Sequence, residues 1–157
     1  MDQLDSGHLA LDFGLRFLAA AGMGAVLGID REARGRQAGL RTYMLTALAA
    51  ATFTVVTAEM HKELMAQNYQ GGDPLRIIEA ITVGVSFLAA GTIVQRGRNV
   101  HGITTGAGLW LAGAIGLACG LAEYLIATIV LVLAMITLTV IGWVEARFER
   151  DKPDKGQ

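Results

Sequence analysis

Charged residues are scarce in this chain, and this scarcity is the first indication of its class. Asp, Glu, Lys and Arg make up 17% of the 157 residues, whereas 53% are hydrophobic. The mean hydropathy is +0.46. Soluble domains carry more charge, about 25% of residues on average. The composition therefore favours an integral membrane protein over a soluble helical bundle.

Cysteine and N-terminal basic residues are also nearly absent. Cys119 is the only cysteine, which excludes a disulfide within the chain and a zinc site built from several cysteines. No Lys or Arg precedes Arg16, which argues against a cleaved signal peptide because such a peptide begins with a basic segment. We therefore expect the first apolar segment to remain in the mature protein.

The motifs of common enzymes are missing as well. The sequence shows no nucleophile with a base, no phosphate-binding glycine loop and no pair of catalytic carboxylates. The glycines instead fall where helices are expected to pack. The sequence therefore predicts neither an enzyme nor a protein with a nucleic-acid partner, and no cofactor is expected apart from magnesium, considered below.

Long apolar runs are abundant. A helix needs about 20 mostly apolar residues to cross a hydrocarbon layer of roughly 30 Å. One transmembrane domain is predicted over residues 1–148, and the polar residues 149–157 are predicted to be a disordered cytoplasmic tail. The five predicted spans are residues 9–29, 42–58, 74–95, 103–122 and 124–144.

Most basic residues lie in three segments that the predicted spans place on one side of the membrane. Of the 13 lysines and arginines, only Arg16, Lys62 and Arg76 lie outside these segments. Loops rich in Lys and Arg face the cytoplasm, so the predicted topology has the N-terminus outside and the C-terminus inside. The three segments contain Arg31, Arg34, Arg36, Arg41, Arg96, Arg98, Arg147, Arg150, Lys152 and Lys155.

Two of the cytoplasmic loops resemble each other. The stretch RGRQAGLRT at 34–42 matches RGRNVHGITT at 96–105 with one residue inserted. The match predicts that spans one and two form a helical hairpin similar to that of spans three and four, with span five added. The simpler alternative is that basic, glycine-bearing loops are common between membrane helices.

Small residues recur at helical spacing in three spans. No hydrophobic effect drives helices together in lipid, and small side chains let their backbones approach. The fifth span has no such face and is predicted to lie at the periphery. The predicted packing positions are Ala20, Gly24, Gly28, Gly84, Gly91, Gly108, Ala112, Gly116 and Gly120.

The third predicted span carries a carboxylate, Glu79, near its outer end. Asp73 followed by proline predicts the helix start. A charge within the membrane costs free energy unless it has a partner. The first span carries Asp12 and Arg16, in the opposite order to Arg76 and Glu79. We therefore expect two ion pairs between these spans, Asp12 with Arg76 and Arg16 with Glu79.

These charges have two interpretations. They form a structural brace with a net contribution near zero, because desolvation offsets attraction. Alternatively, Glu79, Thr82 and Ser86 line a wet pocket that binds a cation or a small polar ligand. Asp73 and Glu79 are the candidate magnesium ligands, with Asp12 a third, although nearby arginines oppose such a site. The predicted intramembrane site comprises Asp12, Arg16, Asp73, Arg76, Glu79, Thr82 and Ser86.

The first cytoplasmic loop, GIDREARGRQAGLRT, mixes acidic and basic residues. The simplest interpretation is a membrane anchor with pairs that neutralise each other. Alternatively, Arg31, Glu32 and Arg41 dock onto another membrane protein or an acidic lipid headgroup. The predicted loop surface comprises Asp30, Arg31, Glu32, Arg41, Thr42, Arg96, Thr104 and Thr105.

Several motifs occur in a characteristic order, namely GIDRE at 28–32, AGLRT at 38–42, DPLRI at 73–77 and GITT at 102–105. With these motifs the chain resembles the MgtC/SapB family of small bacterial inner-membrane proteins, from about Phe17 to Tyr124. It departs from the family pattern at Ser86 and Ala89, where glycine is usual, and at Asp30, where glutamate is usual. It also has only a short tail where members like MgtC carry a cytoplasmic C-terminal domain.

The resemblance implies a multi-pass inner-membrane protein linked to magnesium limitation, stress adaptation and virulence. We expect a regulator that acts through contacts with another membrane protein, for which the resemblance implies ATP synthase as a candidate. The alternative is a small oligomeric transporter or ion-binding protein with Asp12, Arg16, Arg76 and Glu79 as its key residues. Five spans make a thin-walled pore for one chain, so transport favours a homo-oligomer, above all a dimer. Besides the lipid bilayer, the expected partners are a second copy and another membrane protein.

Overall fold

The helices follow the apolar runs of the sequence. In a computed structural model that describes residues 3–67, 73 and 75–141, the elements are α1 Gln3–Ala33, α2 Leu40–Ala66, α3 Leu75–Gly91, β1 Val94–Arg96, β2 Asn99–His101, α4 Ile103–Gly120 and α5 Tyr124–Ile136. A π-helical turn, Thr137–Ile141, continues α5. The predicted helical architecture is confirmed for the described residues.

Within the described part of the chain, three helical segments are long and apolar enough to cross a membrane. They are Gly7–Ala33, Leu40–Ala66 and Ile103–Gly120, whereas the apolar segment Tyr124–Val140 is shorter. α3 has 17 residues, which corresponds to about 25 Å at 1.5 Å per residue. The predicted tail, 149–157, lies outside the described residues.

Three predicted spans end elsewhere in the structure, and the first of them continues to Ala33 rather than to residue 29. α2 continues to Ala66, well beyond the predicted end at residue 58, and its last turns carry an ion pair of 2.6 Å between Lys62 and Glu59. α3 stops at Gly91 rather than at residue 95, because the chain then forms an antiparallel hairpin in which Val94 pairs with His101 and Arg96 with Asn99. Glycine and the β-branched run Thr-Ile-Val favour leaving the helix here. The apolar side chains of this run made it look like helix in the sequence.

The two Arg-Gly-Arg loops lie at the same end of the helix bundle, which we call the loop end. Their glycines adopt nearly the same left-handed conformation, with φ +63° at Gly35 and +62° at Gly97. A side chain with a Cβ is strained in this conformation, so each loop needs glycine at this position. The loops differ in overall form, since the first is a short connection and the second is the β hairpin.

α4 is the central helix of the described bundle, and it packs against α1, α2, α3 and α5. Its small residues permit this, because a Cβ added at Gly108, Gly116 or Gly120 would collide with α2. Leu109 and Ile115 are fully buried beside them. Close packing is thus confirmed for the small face of α4.

The small residues of the other two spans behave differently from each other. A Cβ added at Gly28 would lie 2.6 Å from the Cα of Leu40, and one at Gly24 would lie 2.7 Å from the carbonyl oxygen of Tyr43. On α3, a Cβ added at Gly84 or Gly91 would meet nothing within 4 Å. The prediction that small residues pack is confirmed for α1 and is wrong for α3 within one chain.

Candidate functional site

A network of charges organises the loop end of α1. Asp30 accepts a hydrogen bond of 3.0 Å from Nη2 of Arg31 and one of 2.8 Å from Nε of Arg34. Arg31 is only 3% exposed, and its Nε is buried without a hydrogen-bond partner among the described residues. Asp30 is therefore the group that compensates the buried charge of Arg31. In this position Arg31 is part of the interior, and the prediction that it reaches a docking partner is corrected.

Glu32 also has an internal role. Its Oε2 accepts a hydrogen bond of 2.8 Å from the backbone N–H of Leu40, the first residue of α2. The first N–H groups of a helix have no partner within the helix, and a carboxylate there also interacts favourably with the helix dipole. Gly39, which precedes α2, leaves room for this carboxylate, since an added Cβ would lie 2.7 Å from Glu32 Oε2. Glu32 thus fixes the connection between α1 and α2.

Tyr43 connects the first loop region to the start of α4. Its side chain is fully buried, and its hydroxyl donates a hydrogen bond of 3.2 Å to the carbonyl oxygen of Thr105. Gly108 lies against the tyrosine ring, where a larger residue would collide with the hydroxyl. The sequence analysis did not single out Tyr43. The signal was available, because a lone tyrosine at the start of a buried helix needs a partner for its hydroxyl.

A polar cleft of about 250 Å³ lies between the first loop and the β hairpin. It is lined by Gly35, Arg36, Gln37, His101, Gly102 and Thr105. Gly102 has φ +87° and precedes α4, and a Cβ there would collide with the carbonyl of Thr92. The backbone turn at Gly102 therefore brings the β hairpin against the first loop.

Exposed basic side chains occur in and next to the segments that form this cleft, and Arg36 and His101 line it. Arg36, Arg41 and Arg98 are all exposed, as are Thr42 and Thr104. We call Arg36, Arg41, Arg98 and His101 the basic face. Of the predicted loop surface, Glu32, Arg41, Thr42 and Thr104 are exposed, whereas Arg31 and Thr105 are buried and Asp30 is half-buried. Glu32 nevertheless joins Asp30, Arg31 and Thr105 in holding the loop end together. The side chain of Arg96 lies outside the described part of the structure.

The predicted ion pairs between α1 and α3 are not formed. Arg16 instead pairs with Asp12 of its own helix, at 2.6 Å between Nη2 and Oδ2. Its Nη1 donates a hydrogen bond of 2.9 Å to the carbonyl oxygen of Gly120 at the end of α4. A cation is favourable there, because the last carbonyls of a helix lack partners and carry partial negative charge. The predicted brace between α1 and α3 is therefore wrong within one chain, and Arg16 contacts α4 instead.

The polar residues of α3 are dispersed. Oδ1 of Asp73 accepts a hydrogen bond of 2.9 Å from the N–H of Leu75, which confirms Asp73 as the cap of this helix. Thr82 borders a cleft of about 200 Å³ between α3 and α4. Glu79 and Ser86 are exposed on the outer surface of the bundle. The predicted pocket of Glu79, Thr82 and Ser86 is therefore not assembled within one chain.

The predicted magnesium ligands do not converge either. Asp12 is paired with Arg16, and Asp73 caps α3. Among the described residues, no three His, Cys, Asp or Glu side chains form a group that would hold a metal ion.

A further cleft is apolar. It has a volume of about 510 Å³ and lies between α2 and α3, with Arg76 and Thr57 among its few polar residues. The rest of its surface is formed mainly by Ala49, Ala50, Phe53, Ile77, Ala80, Ile81, Gly84, Val85 and Leu88. Its chemistry suits hydrocarbon rather than a hydrated ion.

Comparison with known proteins places these features in context. A family model described as the MgtC family matches residues 17–147. The chain is 33% identical over 132 residues to the putative magnesium transporter YhiD of Escherichia coli. These residues are 84% of this chain and 61% of that protein. It is 39% identical over 138 residues to the protein MgtC of Salmonella typhimurium. This alignment covers 86% of this chain and 56% of that protein. The chain thus spans little more than half the length of these relatives, and no solved structure matches it.

Proposed function

The chain belongs to the MgtC family, and from this premise we propose that it is a multi-pass protein of the bacterial inner membrane linked to magnesium homeostasis and stress adaptation. The name of the YhiD relative supports the connection with magnesium. We propose that the chain acts as a regulator, through contacts of its basic face with another membrane protein.

The proposed topology has five spans, with the N-terminus outside and the C-terminus inside. Two hydrogen bonds at opposite ends of the bundle support the alternating directions of the helices. The Tyr43–Thr105 hydrogen bond joins the starts of α2 and α4 at the loop end, and the Arg16–Gly120 hydrogen bond joins α1 to the end of α4 at the opposite end. The arginines gathered at the loop end favour the cytoplasmic side. The matching glycine conformations in the two loops support two similar hairpins with α5 added.

The observation that carries the regulatory proposal is that some charged and polar residues of the loop end make internal contacts while others are exposed. Arg31, Glu32 and Tyr43 are engaged in internal contacts that join two loops distant in sequence. Arg36, Arg41 and Arg98 are left exposed on the same end. A surface held in one shape by these internal contacts, with exposed arginines beside them, suits recognition of an acidic partner surface. We include the membrane ATP synthase, the partner implied by the family resemblance, among the proteins to be tested.

The alternative, a small oligomeric transporter, depended on a polar site shared by α1 and α3. Its predicted components lie apart, because Arg16 of α1 bonds to Gly120 at the end of α4, whereas Glu79 lies on the exposed side of α3. This arrangement favours the regulatory proposal over transport by one chain.

Reversing the basic face tests the proposal. A variant with Arg36→Glu, Arg41→Glu and Arg98→Glu is expected to reach the membrane at the parent's level but to lose complementation of a deletion strain at limiting magnesium, because it repels the partner. Growth rate at limiting magnesium is the measurement. The control is Lys62→Glu, which reverses an exposed charge on the last turns of α2, away from the loop end, and is expected to complement fully. Full complementation by the triple variant would contradict the proposal.

A further inference from the structure

The exposed side of α3 carries a regular pattern of residues. Positions 76, 79, 83, 86 and 90 are spaced by three and four residues, so they lie along one side of the helix. All five are exposed, and Val83 is 69% exposed. We call Arg76, Glu79, Val83, Ser86 and Ala90 the α3 seam. The opposite side of α3 holds Ile81, Val85 and Ala89 and is buried.

The seam carries one acid and one base that have no ion-pair partner among the described residues. Glu79 and Arg76 are three residues apart, yet the ion pairs of the described chain are formed by other residues. Glu79 lies four residues inside the helix start, or about 6 Å along the axis. If α3 crosses the membrane, this short carboxylate faces hydrocarbon or the lower headgroup region, where an unpaired charge is unfavourable. A single chain leaves this cost uncompensated.

We propose that the α3 seam is the contact between two copies of this chain, with Arg76 of each copy paired to Glu79 of the other. The inference rests on the part of the proposed function that places α3 across the membrane. Two copies in one membrane share their orientation, so a twofold axis along the membrane normal sets their α3 helices side by side. Residues 76 and 79 then lie at similar depth in both copies.

A second copy fits this surface better than lipid does. The charges of the seam are equal and opposite, so the surface is complementary to itself, whereas a lipid phosphate group is a partner for Arg76 but not for Glu79. The other half of the seam has small side chains at Ser86 and Ala90, which permit close approach of two helices. The Ser86 hydroxyl bonds to the carbonyl oxygen of Thr82 in its own helix, so it adds no unpaired donor at the contact.

Cysteine crosslinking in native membranes tests the contact. The full chain with Cys119→Ala receives Val83→Cys on the seam or, as control, Val132→Cys on α5, where the native valine is also exposed. Oxidation is expected to produce a covalent dimer from Val83→Cys and little from Val132→Cys. Equal dimer yields would overturn the proposal, as would crosslinking of Val83→Cys to a different protein.

Charge reversal separates pairing between copies from pairing within one chain. In the Val83→Cys chain, R76E or E79R alone is expected to lower the dimer yield roughly tenfold, the scale of an interhelical polar contact of 1.4 kcal/mol. Co-expression of the two reversed chains, carrying different tags, is expected to restore a mixed dimer because an acidic seam then faces a basic one. Failure of the mixed dimer, with both chains in the membrane, would overturn the proposal.

If a reversed chain does not reach the membrane, the neutral double variant with R76Q and E79Q takes its place, and an unchanged dimer yield from it would contradict the pairing. The growth assay of the basic face is independent of this contact. If the seam variants lose the dimer but still complement growth, the proposed function stands and the proposed dimer contact does not contribute to it. A finding that α3 lies outside the membrane would contradict both the proposed topology and the proposed dimer contact.

Discussion

Replacing Asp30 with alanine is expected to destabilise the protein by about 3–5 kcal/mol, the range for removing one partner of a buried ion pair. Arg31 is 3% exposed and has Asp30 as its ion-pair partner. Without Asp30 its charge stays buried and uncompensated. The measurement is the midpoint of thermal unfolding in detergent, followed by size-exclusion chromatography.

The neighbouring variants make the prediction specific. Arg31→Met is expected to cost less than Asp30→Ala, because it removes the buried charge and leaves Asp30 paired with Arg34 at 2.8 Å. Adding Arg31→Met to Asp30→Ala is expected to recover part of the stability. Arg34→Ala is the exposed control and is expected to change stability by about 0–1 kcal/mol. An Arg31→Met variant less stable than Asp30→Ala would show that Arg31 contributes through other contacts.

Replacing Gly116 with alanine is expected to prevent α4 from packing against α2. An added Cβ would overlap the carbonyl group of Ala47, and neither group can rotate away, because the Cβ is fixed to the backbone of α4 and the carbonyl belongs to the backbone of α2. Overpacking of this kind costs about 1–3 kcal/mol or more, and here the upper end applies because the contact is backbone against side chain. The expected result is a strong loss of monodisperse protein after extraction from membranes.

Gly84→Ala is the matched control. It makes the same substitution in another apolar helix, at a position where an added Cβ meets nothing within 4 Å. It is expected to extract at the parent's level. Equal loss in both variants would mean that the small face of α4 has no special role in packing.

The periodicity of the apolar residues made most of the helical fold predictable. The predicted starts of α4 and α5 agree with the structure, since Gly102 and Glu123 interrupt apolar runs at these points. The end of α3 was not predictable from hydropathy, because Ile93 and Val94 are as apolar in a hairpin as in a helix. The extension of α2 to Ala66 was not predictable from hydropathy, because charged residues in this stretch are typical of a loop.

The candidate site was less predictable than the fold. The sequence indicated which residues carry charge, but the partner of each charge depends on which helices are neighbours. Arg16 was assigned to Glu79 on the assumption that α1 lies beside α3, whereas α4 provides its second partner. Arg31 and Arg41 look equivalent in the loop sequence, yet one is buried and the other exposed. Only tertiary packing distinguishes them.

We propose that this chain acts through contacts of its basic face rather than by carrying magnesium. Magnesium flux into vesicles reconstituted with the full chain, compared with empty vesicles and with the Glu79→Gln variant, tests this claim most directly. We expect the same magnesium flux in vesicles with the parent chain, in empty vesicles and in vesicles with the Glu79→Gln variant. A magnesium flux that the parent chain supports and that Glu79→Gln abolishes would contradict it.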